Sequence, residues 1–365
     1  MNCLSVLVKP THSCNLRCKY CYNAETKYVD EKLGIALFRK MVQCIPAYYQ
    51  HISFVWLGGE PLLMGLDFYV EVLRIQRDLL PNRSISNHLT TNGTLMSQQF
   101  AKFFASSKFQ VAFSFDGECN EKYRTATKET LRGMEIFSTF CRKQIVVLKV
   151  VQDEDLLAPE EVYNFFATRN MNFQLNPIIG RYDTDANHVM YGPEAYAEFL
   201  IEIFDAWIND ANNSIIVEPL ARYLKALLKG KSTVCCHSMC IGKYICIDPK
   251  GNLFPCSRFL NHQYCYGNIA SLKTIDEAFA SSACDSLRSI ANNRKSKCVV
   301  SCELHHICNA GCTFEAIENN DPSTPGFFSC EVVKLVVPYI KGKLNTNEKR
   351  GYFNNQIVEK MLNSI

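Results

Sequence analysis

An alternation running through roughly the first 210 residues limits this chain to few architectures. Short apolar runs at residues 4–8, 52–57, 85–89, 111–115, 145–151 and 173–175 are each followed by a stretch of helical periodicity, such as 31–45 or 194–211. Apolar residues recurring at strand spacing and then at helix spacing spell six β/α units. Strands joined through helices run parallel, with helices on the outside, so the expected fold is α/β, a partial (β/α)6 TIM-like barrel. Its working face lies at the C-terminal ends of the strands.

The rest of the chain reads differently. After Asn212 and Asn213 one helical segment, 218–229, leads into a cysteine-dense stretch at 235–330 with short strands and little helix, and helical patterning resumes from 331. The expected division is 1–215 for the barrel, 216–340 for a small metal-organised domain with a bridging helix, and 341–365 for a helical tail; a chain of 365 residues can bury a core in more than one domain. A net charge of +3 exerts no strong pull toward nucleic acid or membrane surfaces. No apolar run nears the roughly 18 residues of a membrane span, and no signal peptide opens the chain, so a cytoplasmic protein is expected. Reducing conditions there disfavour disulfides, which turns 19 clustered cysteines toward metal ligation.

Cys14, Cys18 and Cys21 follow the first strand with the spacing CxxxCxxC. Clusters of four irons are normally held by four thiolates, so a loop with three leaves one iron open to a small molecule. With Tyr20 just before the third cysteine, "LVKPTHSCNLRCKYCY" at 7–22 resembles the radical SAM superfamily. That resemblance implies a 4Fe-4S cluster on Cys14, Cys18 and Cys21 with S-adenosyl-L-methionine (SAM) on its open iron.

The other strand ends fit the same resemblance. "LGGEP" at 57–61 follows the second strand, where Gly58 and Gly59 let backbone approach a ligand and Glu60 can balance an ammonium group; in the family such a segment holds the SAM amino group. "TTNGT" at 90–94 and "FSFDG" at 113–117 end the third and fourth strands. By resemblance Ser114 contacts the ribose and carboxylate region of SAM, Asp116 shapes the floor of the site, Arg124 pairs with the SAM carboxylate, and Gln174 completes the adenine pocket.

Cys240 and Cys256, separated by the turn "DPKGN" at 248–252, and then Cys298, Cys302, Cys308, Cys312 and Cys330 resemble the SPASM domain, which carries two auxiliary 4Fe-4S clusters. The resemblance implies one auxiliary cluster on Cys240, Cys256, Cys312 and either Cys235 or Cys236, and a second on Cys298, Cys302, Cys308 and Cys330. The first interval of the second set is one residue longer than the family pattern. Cys3, Cys44, Cys119, Cys141, Cys246, Cys265 and Cys284 fall outside both motifs and are expected mostly as buried thiols. His305 and His306 are expected to support Cys308 or face solvent rather than bind metal.

The implied chemistry is reductive cleavage of SAM and hydrogen abstraction from a carbon. Two SPASM groups come closest: maturases that cross-link ribosomally made peptides through cyclophane or thioether bonds, and anaerobic sulfatase maturases that make formylglycine. In the second group an aspartate base directly follows the cysteine of the "PC" segment; here "FPCSRF" places Ser257 there, and a serine hydroxyl is a poor base. The expectation is therefore a peptide cross-linking maturase, with the sulfatase type as alternative and a non-catalytic iron–sulfur electron carrier as the third reading. Implied partners are a precursor peptide or protein, a flavodoxin- or ferredoxin-type electron donor and, because 13 residues precede Cys14, a separate leader-recognition protein.

Overall fold

The structure, a computed structural model, describes residues 3–23, 30–178, 191–210, 214–230, 240–259, 262–319 and 321–345. Its strands are β1 (Cys3–Val8), β2 (His51–Trp56), β3 (Ser84–Thr91), β4 (Gln110–Ser114), β5 (Val146–Val150), β6 (Asn172–Asn176), β7 (Val217–Glu218), β8 (Tyr244–Ile247), β9 (Asn252–Phe254) and β10 (Gly267–Asn268). Two compact units divide the chain: Met1–Ser114, Arg124–Lys143 and Cys240–Ser289 form the first, and Phe115–Tyr123, Gln144–Met239 and Ile290–Ile365 the second.

In the first unit the strand order is β10-β9-β8-β1-β2-β3-β4, parallel from β8 to β4 and antiparallel at β9 and β10. Alternation puts Leu4, Val6 and Val8 of β1 beside Ile52, Phe54 and Trp56 of β2, all at most 2% exposed. The helices Ile35–Gln43 and Leu66–Leu79 turn Phe38, Met41 and Val42, and Tyr69, Val72 and Ile75, inward. Phe38 packs 5.3 Å from the Trp56 ring; each such side chain taken from water contributes about 1.5–3 kcal/mol. The first helix starts later than its periodicity suggests. Leu33 N–H donates to the Pro10 carbonyl and Thr11 bridges Lys32, so the segment before Gly34 is held extended against the end of β1.

In the second unit β5, β6 and β7 run parallel, with Val147 opposite Phe173 and Phe173 opposite Val217. The helix Pro193–Asn209 buries Phe199, Ile203, Phe204 and Trp207, and the Trp207 indole donates to the Ile215 carbonyl at 2.9 Å. The reading of the cysteine-rich stretch as poor in helix is corrected: Ser282–Ser301, whose first eight residues belong to the first unit and the rest to the second, is a 20-residue helix. Its inward positions include Leu287, Ala291 and Cys298, but the stripe is interrupted by Arg294, itself 1% exposed. A cation on the buried face hides the periodicity that marks an amphipathic helix.

The burial of Arg294 is matched by its acceptors. Nε donates to the Ala310 carbonyl (2.8 Å), Nη1 to the Pro322 carbonyl (2.7 Å) and Nη2 to Thr313 Oγ1 (3.0 Å). Arg294→Met strands two carbonyls and a hydroxyl, so a loss of about 3 kcal/mol is expected. Thermal melts of the two proteins measure it, and equal melting temperatures would rule this role out. Among the described residues no helix is long and apolar enough to cross a membrane.

Candidate active site

Beyond β1 the chain enters the loop of Cys14, Cys18 and Cys21, all half-buried. The turn after β2 pins its base: Gly59 N–H donates to the Thr11 carbonyl (3.0 Å) and Glu60 N–H to the Ser13 carbonyl (2.8 Å). Donors also face the sulfurs. Leu16 N–H lies 3.4 Å and Asn92 Nδ2 3.8 Å from Cys14 Sγ, and Arg124 Nη1 lies 3.7 Å from Cys18 Sγ. Burial, opposed by the Leu16 N–H and reinforced by Glu60, Cys18 and Cys21, pushes the Cys14 thiol up to about 11, whereas N–H groups and a guanidinium aimed at sulfur suit a thiolate bound to a cation. Among the described residues no three Cys, His, Asp or Glu side chains gather closely enough for a single metal ion. Thiolates that ligate an iron–sulfur cluster sit on different irons, and a loop of three cysteines with N–H donors at the sulfurs of Cys14 and Cys18 fits that kind of ligation.

The glycines admit a close approach of backbone. A Cβ on Gly59 would fall 2.0 Å from the Ser13 carbonyl oxygen, and one on Gly58, at φ +137°, 2.7 Å from that of Thr11. The cysteine loop's own backbone therefore requires glycine here. Glu60 is 0% exposed, and its carboxylate is engaged by the chain's own donors. Oε1 accepts from Leu62 N–H (2.9 Å) and Thr91 Oγ1 (2.7 Å), and Oε2 from Asn92 N–H (2.8 Å). The side chain ties the exit of β2 to that of β3, and burial raises it to about 6.

Tyr20 is buried with the Arg124 guanidinium 5.2 Å from its ring, so Arg124 touches both the cysteine loop and its aromatic neighbour. Ser114 is the half-buried last residue of β4. In the second unit Asp116 is fully enclosed, its Oδ1 accepting from Val150 N–H (2.9 Å) and its carbonyl from Lys149 Nζ (2.8 Å). These bonds brace the chain between β4 and β5, and Asp116 also lines a cavity. A cavity of about 140 Å³ beside it is edged by Cys119, Lys149, Glu154 and Asp155. The carboxamide of Gln174 is engaged by the chain itself: Oε1 accepts from Arg222 (2.8 Å) and Nε2 donates to Asn176 (2.6 Å).

Three residues went unremarked in the sequence. Asn92, within the quoted "TTNGT", donates to Cys14 and, at 2.9 Å, to Asn15 Oδ1, bracing the loop from β3. Lys9 and Asn23 join across it, Nζ donating to Oδ1 at 2.8 Å, and Asn23 Nδ2 donates to the Gly58 carbonyl at 2.9 Å. A lysine ending an apolar strand was the available signal.

Of the auxiliary cysteines, Cys240 and Cys256 belong to the first unit, where both act electrostatically on the buried Tyr266; Cys235 and Cys236 lie outside the described residues. In the second unit burial raises the Cys298 thiol, with Cys330 and Cys302 adding to the effect, so these three are neighbours. Cys308 is buried and Cys312 half-buried. His305 Nδ1 sits 2.9 Å from the Cys302 carbonyl oxygen. Of the remaining thiols only Cys44, Cys246 and Cys284 are fully buried, while Cys3 is exposed at the start of β1.

Residues 8–172 match the Radical SAM superfamily. A cysteine-type anaerobic sulfatase-maturating enzyme of Clostridium novyi is 28% identical over 89% of this chain and 91% of its own. The serine-type enzyme of Klebsiella aerogenes is 26% identical over 84% of this chain and 79% of its own. The structure resembles native anSMEcpe with bound AdoMet (TM-score 0.83, 26% identity, 93% of this chain and 98% of that one). Streptococcus suis SuiB bound to S-adenosylmethionine shares the fold at 18% identity (TM-score 0.66, 90% of this chain and 77% of that one). The fold is thus the α/β partial barrel followed by a SPASM-like cysteine-rich region, and residues 8–172 are similar to the radical SAM superfamily, a family that implies a 4Fe-4S cluster and SAM.

Proposed function

We propose that this chain is a peptide- or protein-modifying maturase, with Cys14, Cys18 and Cys21 holding the SAM-binding cluster and two further clusters on the auxiliary cysteines, about 12 irons in all. When bound, the cluster supplies the electron that splits SAM into methionine and a hydrogen-abstracting 5′-deoxyadenosyl radical. The chain's share is placement: the turn at Gly58, Gly59 and Glu60 and the donors of Asn92 and Arg124 fix the cysteine loop, and Ser114 and Arg124 are the residues offered to SAM. Residues 1–215 form the catalytic barrel in this reading, and 216–340 the auxiliary-cluster domain. A flavodoxin- or ferredoxin-type protein supplies electrons.

Ser257 carries the choice of product. It occupies the position that the sulfatase group gives to an aspartate base, and the buried Asp248 is no substitute. Its Oδ1 already accepts from Lys250 N–H (2.9 Å) and Asn252 N–H (2.8 Å), and its Oδ2 from Asn252 Nδ2 (3.0 Å). An oxidative cross-link between side chains of a ribosomal peptide can shed its proton to solvent, so it is the favoured outcome. Formylglycine formation remains the second reading, supported by relatives of both sulfatase types that span most of the chain.

The test incubates reduced protein and SAM with a peptide encoded beside its gene and, separately, with Cys- and Ser-type sulfatase peptides. Loss of about 2 Da per linkage from the neighbouring peptide, with fragmentation locating a cross-link, is expected. Formylglycine on a sulfatase peptide, with the neighbouring peptide unchanged, would replace the first reading by the second.

A further inference from the structure

Lys9 is the residue that the account above leaves without a task. It is 0% exposed at the end of β1, its backbone N–H bonded to the Ile247 carbonyl of β8 at 2.9 Å. An ammonium in such a place is costly unless something compensates it. Its nearest polar partner is the neutral carboxamide of Asn23, 2% exposed, and the Tyr22 ring lies 5.1 Å away. Burial pulls the group down to about 8, opposed in turn by Cys246, Cys256, Cys21 and Asp248. The turn at 248–252 occupies the Asp248 carboxylate, so thiols dominate the surroundings. Two of them, Cys21 and Cys256, belong to different expected cluster sites, and both become thiolates once iron is bound.

We propose that Lys9 is a positioning residue for electron delivery: its ammonium, oriented by Asn23, is a fixed positive charge shared by the Cys21 and Cys256 sites, and it raises the reduction potential of the cluster on Cys14, Cys18 and Cys21. The proposal rests on the iron–sulfur reading of those thiols. Adding an electron to a thiolate-ligated cluster increases negative charge, and a nearby cation in a dry environment offsets that cost. Asn23 performs a second task with its other end, since the bond from Nδ2 to the Gly58 carbonyl couples the ammonium's mount to the turn beneath the cysteine loop.

The test follows the reduced-cluster electron paramagnetic resonance signal that changes on adding SAM, in a reductive titration of the reconstituted full chain. In Lys9→Met the midpoint should fall. At the poise where the parent is half reduced, the reduced-to-oxidised ratio should drop at least tenfold, equivalent to about 59 mV for one electron. Lys9→Arg keeps the charge and should restore the parent midpoint. Asn23→Asp, nearly isosteric, sets a carboxylate against the ammonium and should lower the midpoint as Lys9→Met does; it decides the matter if Lys9→Met fails to load iron. Parent-like midpoints in iron-replete Lys9→Met or Asn23→Asp would overturn the proposal. A parent chain that binds no cluster would instead overturn the iron–sulfur reading, and iron analysis separates the two.

Discussion

A chain carrying Ala at Cys14, Cys18 and Cys21 is expected to bind about four fewer irons than the parent and to release no 5′-deoxyadenosine from SAM. The three thiols are half-buried, and the loop's path is set by backbone bonds from Gly59 to Thr11 and from Glu60 to Ser13, which alanine leaves untouched. Folding should therefore survive while the metal does not. Iron analysis and chromatography of the nucleoside product measure both quantities. SAM cleavage persisting in the triple variant would mean that the electron enters elsewhere, and the placement of the active site would be wrong.

Glu60→Ala should have the second-largest effect, on stability as well as on SAM binding. Leaving Leu62 N–H, Asn92 N–H and the Thr91 hydroxyl without an acceptor in a fully enclosed position costs about 1–3 kcal/mol for each group. The sum is a large share of a typical domain's margin. Denaturant melts of the cluster-free chain, beside SAM-binding titrations, would reveal it; weakened SAM binding at parent stability would return Glu60 to a ligand-facing role. The carboxyl also leaves a pH signature. Burial raises it from 4.5 to about 6, so the folded chain binds the extra proton in that interval. Its contribution is most favourable below about pH 4.5, and about 2 kcal/mol is lost as pH rises through 6, staying constant above. Glu60→Gln, which does not titrate, should lack that slope.

The local signals of this chain were strong where chemistry and periodicity coincide. Strands β1, β2, β4 and β6 announce themselves because each buries alternate apolar residues, as Leu4, Val6 and Val8 do, while β3 and β5 mix Asn87, Thr91 and Lys149 into their buried positions, and helices follow the strands at regular intervals. The spacing of Cys14, Cys18 and Cys21 is legible because a loop's reach is short: three thiolates must lie near one another in sequence to bind one cluster. The family could be named from that loop and the strand ends alone.

What required the tertiary structure were interactions between residues distant in sequence. Glycine in "LGGEP" is compatible with a bound ligand and with a crossing backbone, and only the tertiary structure shows the approach of Thr11 and Ser13. The acid of that motif faces inward because Leu62 N–H from the turn after β2 and two donors from the end of β3, Thr91 and Asn92, meet it there. The helix Ser282–Ser301 was masked by Arg294, whose burial makes sense only with the carbonyls of Ala310 and Pro322 in place. Lys9 reads as an ordinary strand-end charge until Asn23, Cys21 and Cys256 are brought around it. Periodicity and spacing are properties of neighbours along the chain, so sequence determined the strands, the cysteine loop and the family. Whether a polar side chain serves solvent, ligand or core depends on partners tens to hundreds of residues away, and folding alone assigned them.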